Sequence, residues 1–287
     1  MKEFFRFFKN FIKEKPFVAM SMIGILYFIG ICSIAYPMVS NVFSLKTSQN
    51  VINDYEQDME NMSSKEIAER IEKAELFNKA IFKEAEIKEE YAHVLDGKDG
   101  LICYVDIPKV SIYLPVYYGT SDEVLDKGCG YLENTSLPVG GINTHSVISG
   151  HTGLPSADMF TRLDELKKGD IFSIHILDKV LTYQVENINT VMPNAVEELY
   201  VKEGKDYVTL LTCTPYGIND KRLLVRGERI FPEQEEVITE ETKDNSQPLE
   251  NLSAEIHHDT VIILIFLSIA VIVFLIACIM LFFRLKR

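Results

Sequence analysis

The chain has 287 residues, with 42 acidic and 29 basic side chains, a formal net charge of -13 and five cysteines. That charge argues against nucleic acid as a partner, and five scattered cysteines do not make a disulfide framework. With no paired-cysteine zinc spacing, no glycine-rich phosphate loop and no internal repeat, neither a metal nor a cofactor is expected.

Residues 1–15 carry Lys2, Arg6, Lys9, Lys13 and Lys15. Residues 16–38 follow without a charge and are long enough to cross a hydrocarbon core of about 30 Å as a helix. No small-x-small cleavage site follows at Pro37 to Phe43, so this span reads as a retained signal anchor. Residues 260–283 form a second uncharged apolar run, and 284–287 bring Arg284, Lys286 and Arg287. The basic ends place 1–15 and 284–287 in the cytoplasm and everything between the spans outside. Each end contributes +3, which leaves -19 on residues 16–283.

Residues 39–99 read as an extracytoplasmic linker and an amphipathic helix. Ser44 to Met62 is a polar stretch. Ser63 with Glu66 then makes a capping box. Ile67, Ile71, Ala74, Phe77, Ile81 and Ala85 recur at helical spacing to about Tyr91, so this helix should pack on the domain.

Residues 100–231 change period to two. Strands are expected at Leu101 to Ile107, Val110 to Tyr118 (an edge or bulged strand, given Pro115), Ser146 to Ser149, Ile171 to Leu177, Val180 to Ile188, Tyr207 to Cys213 and Leu223 to Phe231. Short helices are expected at Glu123 to Leu125 and from Ser156 through Leu166. The fold class is therefore mainly β, a closed barrel of roughly eight strands. Residues 232–259 are an acidic linker.

Within this frame Cys213 ends an apolar strand and is followed by the loop signal Thr214-Pro215-Tyr216-Gly217. By base rate such a thiol is a small core hydrophobe. Its place at a strand end, with Arg222 opening the next strand, favours a functional reading. A nearby guanidinium can stabilise a developing oxyanion. His151 lies at a strand-to-loop junction and suits general acid–base work. His145 is its chemical rival, while His175 reads as an outward strand residue. Cys103 and Cys129 are expected as free buried thiols, although the sequence leaves a bridge between them open.

Thr209-Leu210-Leu211-Thr212-Cys213 matches the TLxTC signature of the sortases. Arg222 matches the arginine after that cysteine, and Ser149-Gly150-His151 the histidine segment. Gly130 to Gly141, Asn143-Thr144-His145-Ser146 and Thr214-Pro215-Tyr216-Gly217 resemble class C, the pilin-polymerising sortases, as does a second span after a linker. The resemblance implies a sortase-type barrel between two transmembrane helices and a cysteine transpeptidase acting on surface proteins with an LPxTG-like motif. It implies Cys213 as nucleophile, His151 as acid and base, Arg222 at the carbonyl or oxyanion, Thr212 beside the substrate, and a pilin lysine amine as acceptor. Class C enzymes often carry a lid with an Asp-Pro-aromatic motif. No Asp-Pro pair precedes Leu101, so the site is expected to be open unless another element near Phe77 to Phe82 covers it. The alternatives are anchoring to a cell-wall precursor amine and a non-catalytic membrane-anchored scaffold.

Overall fold

The computed structural model describes residues 16–86, 88–231 and, in the second hydrophobic segment, 261, 262, 265, 266, 268, 269, 272 and 274. The expected cytoplasmic ends, the acidic linker 232–259 and most of 260–283 lie outside the described residues. The chain divides into two units, Met1–Val42 with Glu255–Arg287, and Phe43–Ala254.

Helix α1 runs over Pro16–Asn61. Its first part supplies one helix long and apolar enough to cross a membrane. In the same unit Tyr27 stacks on Phe274 of the second hydrophobic segment, with ring centroids 5.4 Å apart. The polar stretch from Ser44, read as linker ahead of the amphipathic helix, is itself helical: α1 continues through it. Ser48, Ile52 and Tyr55 are buried, and their i, i+4, i+7 spacing makes a docking stripe too short to stand out as a period. Tyr55 ties the helix to the barrel, its hydroxyl donating to the Ile102 carbonyl at 3.2 Å and accepting from the Leu177 N–H at 2.8 Å.

Helix α2 covers Ser64–Phe82, and Ser63 caps it by accepting from the Glu66 N–H at 3.2 Å. The sequence pattern carried it to Tyr91, but it stops at Phe82. Glu84 adopts a left-handed φ of 49°. The Ala85 N–H reaches back to the Ala80 carbonyl and the Glu84 N–H to Ile81, a Schellman-type ending. No glycine marks this stop. Ile67, Ala74, Phe77 and Asn78 face the barrel. Asn78 pairs with both backbone groups of Leu137, at 3.0 and 2.7 Å. A short turn, α3, follows at Glu89–Ala92, and another, α4, at Asp122–Leu125.

The strands are β1 Leu101–Ile107, β2 Ile112–Tyr118, β3 Cys129–Tyr131, β4 Thr144–Ser149, β5 Ile171–Ile176, β6 Lys179–Val191, β7 Asp206–Thr214 and β8 Lys221–Arg229. They close the expected barrel, in the order β1-β2-β3-β4-β7-β8-β6-β5. Two pairings, β2–β3 and β4–β7, are parallel. Val105, Leu114, Ile148, Ile174, Leu210 and Val225 belong to the buried core. β2 is not an edge strand. It lies between β1 and the three-residue β3, and Pro115 sits one residue before the β3 pairing begins. β3 can approach so closely because a Cβ at Gly130 would collide with the Gly119 carbonyl.

The helix expected from Ser156 is absent. Met159, Phe160, Leu163 and Leu166 are buried as their spacing suggested, but the one helical piece of the segment is a 3-10 turn at Leu163–Glu165. Cys103 and Cys129 are free and buried. Both pair with Val116, from opposite sides. Two strand spacings of about 4.8 Å separate their backbones, beyond the roughly 7 Å that a disulfide can span.

Candidate active site

The β4–β7 pairing is parallel, with Thr144 opposite Asp206 and Ser149 opposite Leu211. Carried two residues further, this register sets His151 level with Cys213. On the other side of β7, Cys213 is the direct partner of Arg222. Three adjacent strands therefore deliver His151, Cys213 and Arg222 in one row at one end of the barrel. Alternation settles the face. Val208 and Leu210 of β7, Ile148 of β4 and Val225 of β8 point into the core. Cys213 and Arg222, with the opposite parity, stand on the outer face, and both are half-buried.

The row is held by its neighbours. The Gly150 N–H donates to the Leu211 carbonyl at 3.0 Å, and the buried Thr212 hydroxyl donates to the Gly150 carbonyl at 2.7 Å. Strand β7 thus grips the residue before His151 from both sides. The His151 carbonyl accepts from the Phe160 N–H at 2.9 Å. Phe160 lies directly under Gly150, where a Cβ would come within 2.7 Å of its ring, so only glycine fits. Arg222 donates through Nη1 to the Asn219 and Lys221 carbonyls, at 3.3 and 3.0 Å. The exposed Tyr216 and Ile218 crown the β7–β8 turn, and the Tyr216 ring lies against Gly153.

His145 sits elsewhere, six residues back along β4, or about 20 Å at strand rise. It is fully buried. Its Nδ1 meets the Tyr200 carbonyl at 3.0 Å and its Nε2 meets Thr209 Oγ1 at 2.7 Å. Burial pushes its pKa down to about 4. His175 faces outward as expected, alternating with the buried Ile174 and Ile176; there it stacks on Tyr104 with ring centroids 4.4 Å apart, and burial lowers its pKa too.

The two α2 phenylalanines considered as a cover for the site lie elsewhere. Phe77 is buried against the barrel. Phe82 borders a cleft of about 460 Å³ with Gly140, Ile142 and Thr144, at the opposite end of β4 from His151. Among the described residues, no group of three or more His, Cys, Asp or Glu side chains is placed to hold a metal.

Comparison with known proteins adds identity to this geometry. A family model for the sortase domain matches residues 105–230. The crystal structure of Streptococcus pneumoniae sortase C is 48% identical, with 63% of this chain and 97% of that one covered at a TM-score of 0.59. This chain belongs to the sortase family. Its solved neighbours are of class C. Another is the Clostridium perfringens sortase C with the C-terminal cell wall sorting motif, 47% identical over 63% of this chain and 98% of that one, TM-score 0.60. Sortase A of Streptococcus agalactiae is 33% identical over 129 residues, covering 43% of this chain and 51% of the relative. The chain thus spans about half the length of that curated relative.

The family match contains His151, Cys213 and Arg222 in the row described above. Sequence reasoning missed a second outer-face group. The Arg226 Nε donates to Glu186 Oε1 at 2.6 Å, and its Nη1 lies 3.6 Å from Glu198 Oε2. Its guanidinium also covers Tyr207. The signal was available: Arg222 and Arg226, four apart on a strand, share a face.

Proposed function

We propose that this sortase is a membrane-anchored cysteine transpeptidase that assembles pilin subunits through LPxTG-like sorting signals. The observation that carries the reading is the row His151–Cys213–Arg222 across β4, β7 and β8. The Cys213 sulfur adds to the threonine carbonyl of the Thr–Gly bond. Arg222 holds the resulting oxyanion. As the C–N bond breaks, the thiol proton passes by way of His151 to the departing glycine amine, leaving a thioester on Cys213. A lysine amine of the next pilin attacks that thioester. His151 takes its proton and returns it to the leaving sulfur, and an isopeptide bond remains. Thr212, expected beside the substrate, has its side chain buried and its hydroxyl on the Gly150 carbonyl; its part in this reading is to set the spacing between Cys213 and His151.

Support for the class comes from neighbours that are class C sortases, one of them solved with a sorting motif. The apolar part of α1 supports membrane attachment. The second segment, 260–283, completes a two-span anchor in this reading, with both ends cytoplasmic and the barrel outside.

The test uses the full chain in detergent, an LPxTG-type peptide and a lysine-bearing pilin fragment. Cys213→Ala should abolish joining and leave the melting temperature unchanged. Arg222→Lys should not restore activity, because lysine lacks the planar fork. Joining by the alanine variant would remove Cys213 as nucleophile. Transfer to cell-wall amines but not to pilin lysine would replace polymerisation by anchoring.

A further inference from the structure

The loop between β6 and β7, residues 192–205, leaves β6 beside Arg222, since Val191 is the cross-strand partner of Arg222. It rejoins the barrel at Asp206, opposite Thr144. Between these points it carries three exposed apolar side chains, Met192, Val196 and Tyr200. Its last residues are tied down where it rejoins the barrel, by Lys205 to Glu228 and by Gly204 to Asn143, and two contacts hold its middle to the outer face of the sheet. Glu198 meets Arg226, and the Tyr200 carbonyl meets His145 Nδ1. His145, Thr209 and Arg226 stand on the face that carries Cys213 and Arg222, a few strand residues below them. The loop therefore overlies one continuous strip, with the reacting row at one end and these attachments at the other.

We propose that His145 is a positioning residue that pegs the β6–β7 loop to the barrel and so sets the wall against which the apolar residues of the sorting peptide lie. This rests on the transpeptidase reading. The geometry fixes how the peg works. A carbonyl only accepts, so Nδ1 carries the proton and donates to Tyr200, while Nε2 accepts from the Thr209 hydroxyl. One ring thus joins the middle of β7 to the far end of the loop. Holding the wall in its bound shape beforehand lowers the ordering cost of binding an extended peptide. Arg226 with Glu198 supplies the second peg.

Two near-isosteres separate the two bonds. His145→Asn keeps a donor near the Nδ1 position and can still reach the Tyr200 carbonyl. His145→Gln keeps an acceptor near the Nε2 position for Thr209 but loses the loop. With an LPxTG-type peptide and the full chain, His145→Gln should raise KM about tenfold while kcat stays within about twofold. His145→Asn should remain within about twofold of the parent in both. Amide exchange over residues 196–201 should accelerate in the glutamine variant and not in the asparagine one. Should either fail to fold, Glu198→Gln weakens the second peg from the exposed loop side, and the same KM rise and faster exchange are expected. Equal behaviour of the two His145 variants, a loss confined to kcat, or unchanged exchange in His145→Gln would overturn the proposal. A parent protein that turns over no such peptide defeats the transpeptidase reading instead, while the exchange measurement still decides whether His145 holds the loop.

Discussion

The Thr212 hydroxyl and the Gly150 carbonyl share a 2.7 Å hydrogen bond that joins the residue before Cys213 to the residue before His151. Two strands with parallel partners are thereby locked at the one point where their side chains must meet. Thr212→Val keeps the shape and removes the donor, leaving a buried carbonyl unpaired at a cost of about 1–3 kcal/mol. A fall in melting temperature and a roughly tenfold drop in kcat are expected, with Thr212→Ser near the parent in both. Thermal unfolding and steady-state turnover on the same preparations check this. Parental kcat in the valine variant would free Thr212 from any role through His151.

Gly150 has no room for a methyl group. A Cβ there would stand 2.7 Å from Phe160 Cδ2 and 2.9 Å from Cγ, and Phe160 is fully buried. Overpacking of this kind costs about 1–3 kcal/mol. Because His151 is the next residue and accepts from the Phe160 N–H, the strain reaches the row directly. Gly150→Ala should lower both stability and turnover, and turnover should fall further than that of Phe160→Leu. Comparable turnover in the two variants would show that the ring yields without moving His151.

Asn78 is the polar bolt between α2 and the barrel, with both amide atoms bonded to Leu137. Asn78→Ala strands two backbone groups and should cost about 2 kcal/mol or more. Its rate of Cys213 alkylation by a small thiol reagent should match the parent. Truncation to begin near Gly97 should unfold the domain, since it removes the buried face of α2. A folded truncated barrel that is alkylated orders of magnitude faster would make residues 63–96 a lid.

Asp106 lies buried between Tyr113 of β2 and Ser173 of β5, and burial pushes its carboxyl up to about 7. The folded state therefore keeps a proton that the unfolded chain has already released between about pH 4 and 7. Stability falls as pH rises through that window, at up to about 1.4 kcal/mol per unit. Asp106→Asn imitates the protonated form. Its melting temperature should be close to the parent at pH 4, and the gap in its favour should widen up to about pH 7 and hold at pH 8. A parallel pH profile for both proteins would show that Asp106 is not the group responsible.

Much of this could be read from the chain alone. The Ser63 cap, the strand from Leu101 to Ile107, the hairpin expected around Asp178-Lys179 (one residue late) and the barrel closure each rest on local chemistry or on period two. The Cys213–Arg222 pair is nearly as local, since the two face each other across one hairpin, whereas His151 joins them only through the pairing of β4 with β7. What stayed hidden depends on partners distant in sequence. Ser48, Ile52 and Tyr55 are too few to signal a helix until the barrel covers them. β3 has three residues and no period. Glu84 ends α2 without a glycine. The helical spacing of Met159, Phe160, Leu163 and Leu166 is real, but the bonds at His151 and Thr161 hold that backbone in a loop. The roles of His145 and Arg226 needed the β6–β7 loop folded over them.

The placement of the three barrel cysteines separates folding from oxidation. Cys103 and Cys129 are sealed in the interior, where burial pushes both thiols up, and a strand keeps them apart. Cys213 alone of the three meets solvent. A cell needs no disulfide-forming machinery to build this domain, and a reducing agent has no scaffold bond to break. Of the three thiols, only the one proposed to carry the acyl group is open to oxidants. Oxidative stress would therefore silence the domain while leaving it standing, and a reductant would switch it back on without refolding, provided that oxidation stops at a reversible stage such as the sulfenic acid.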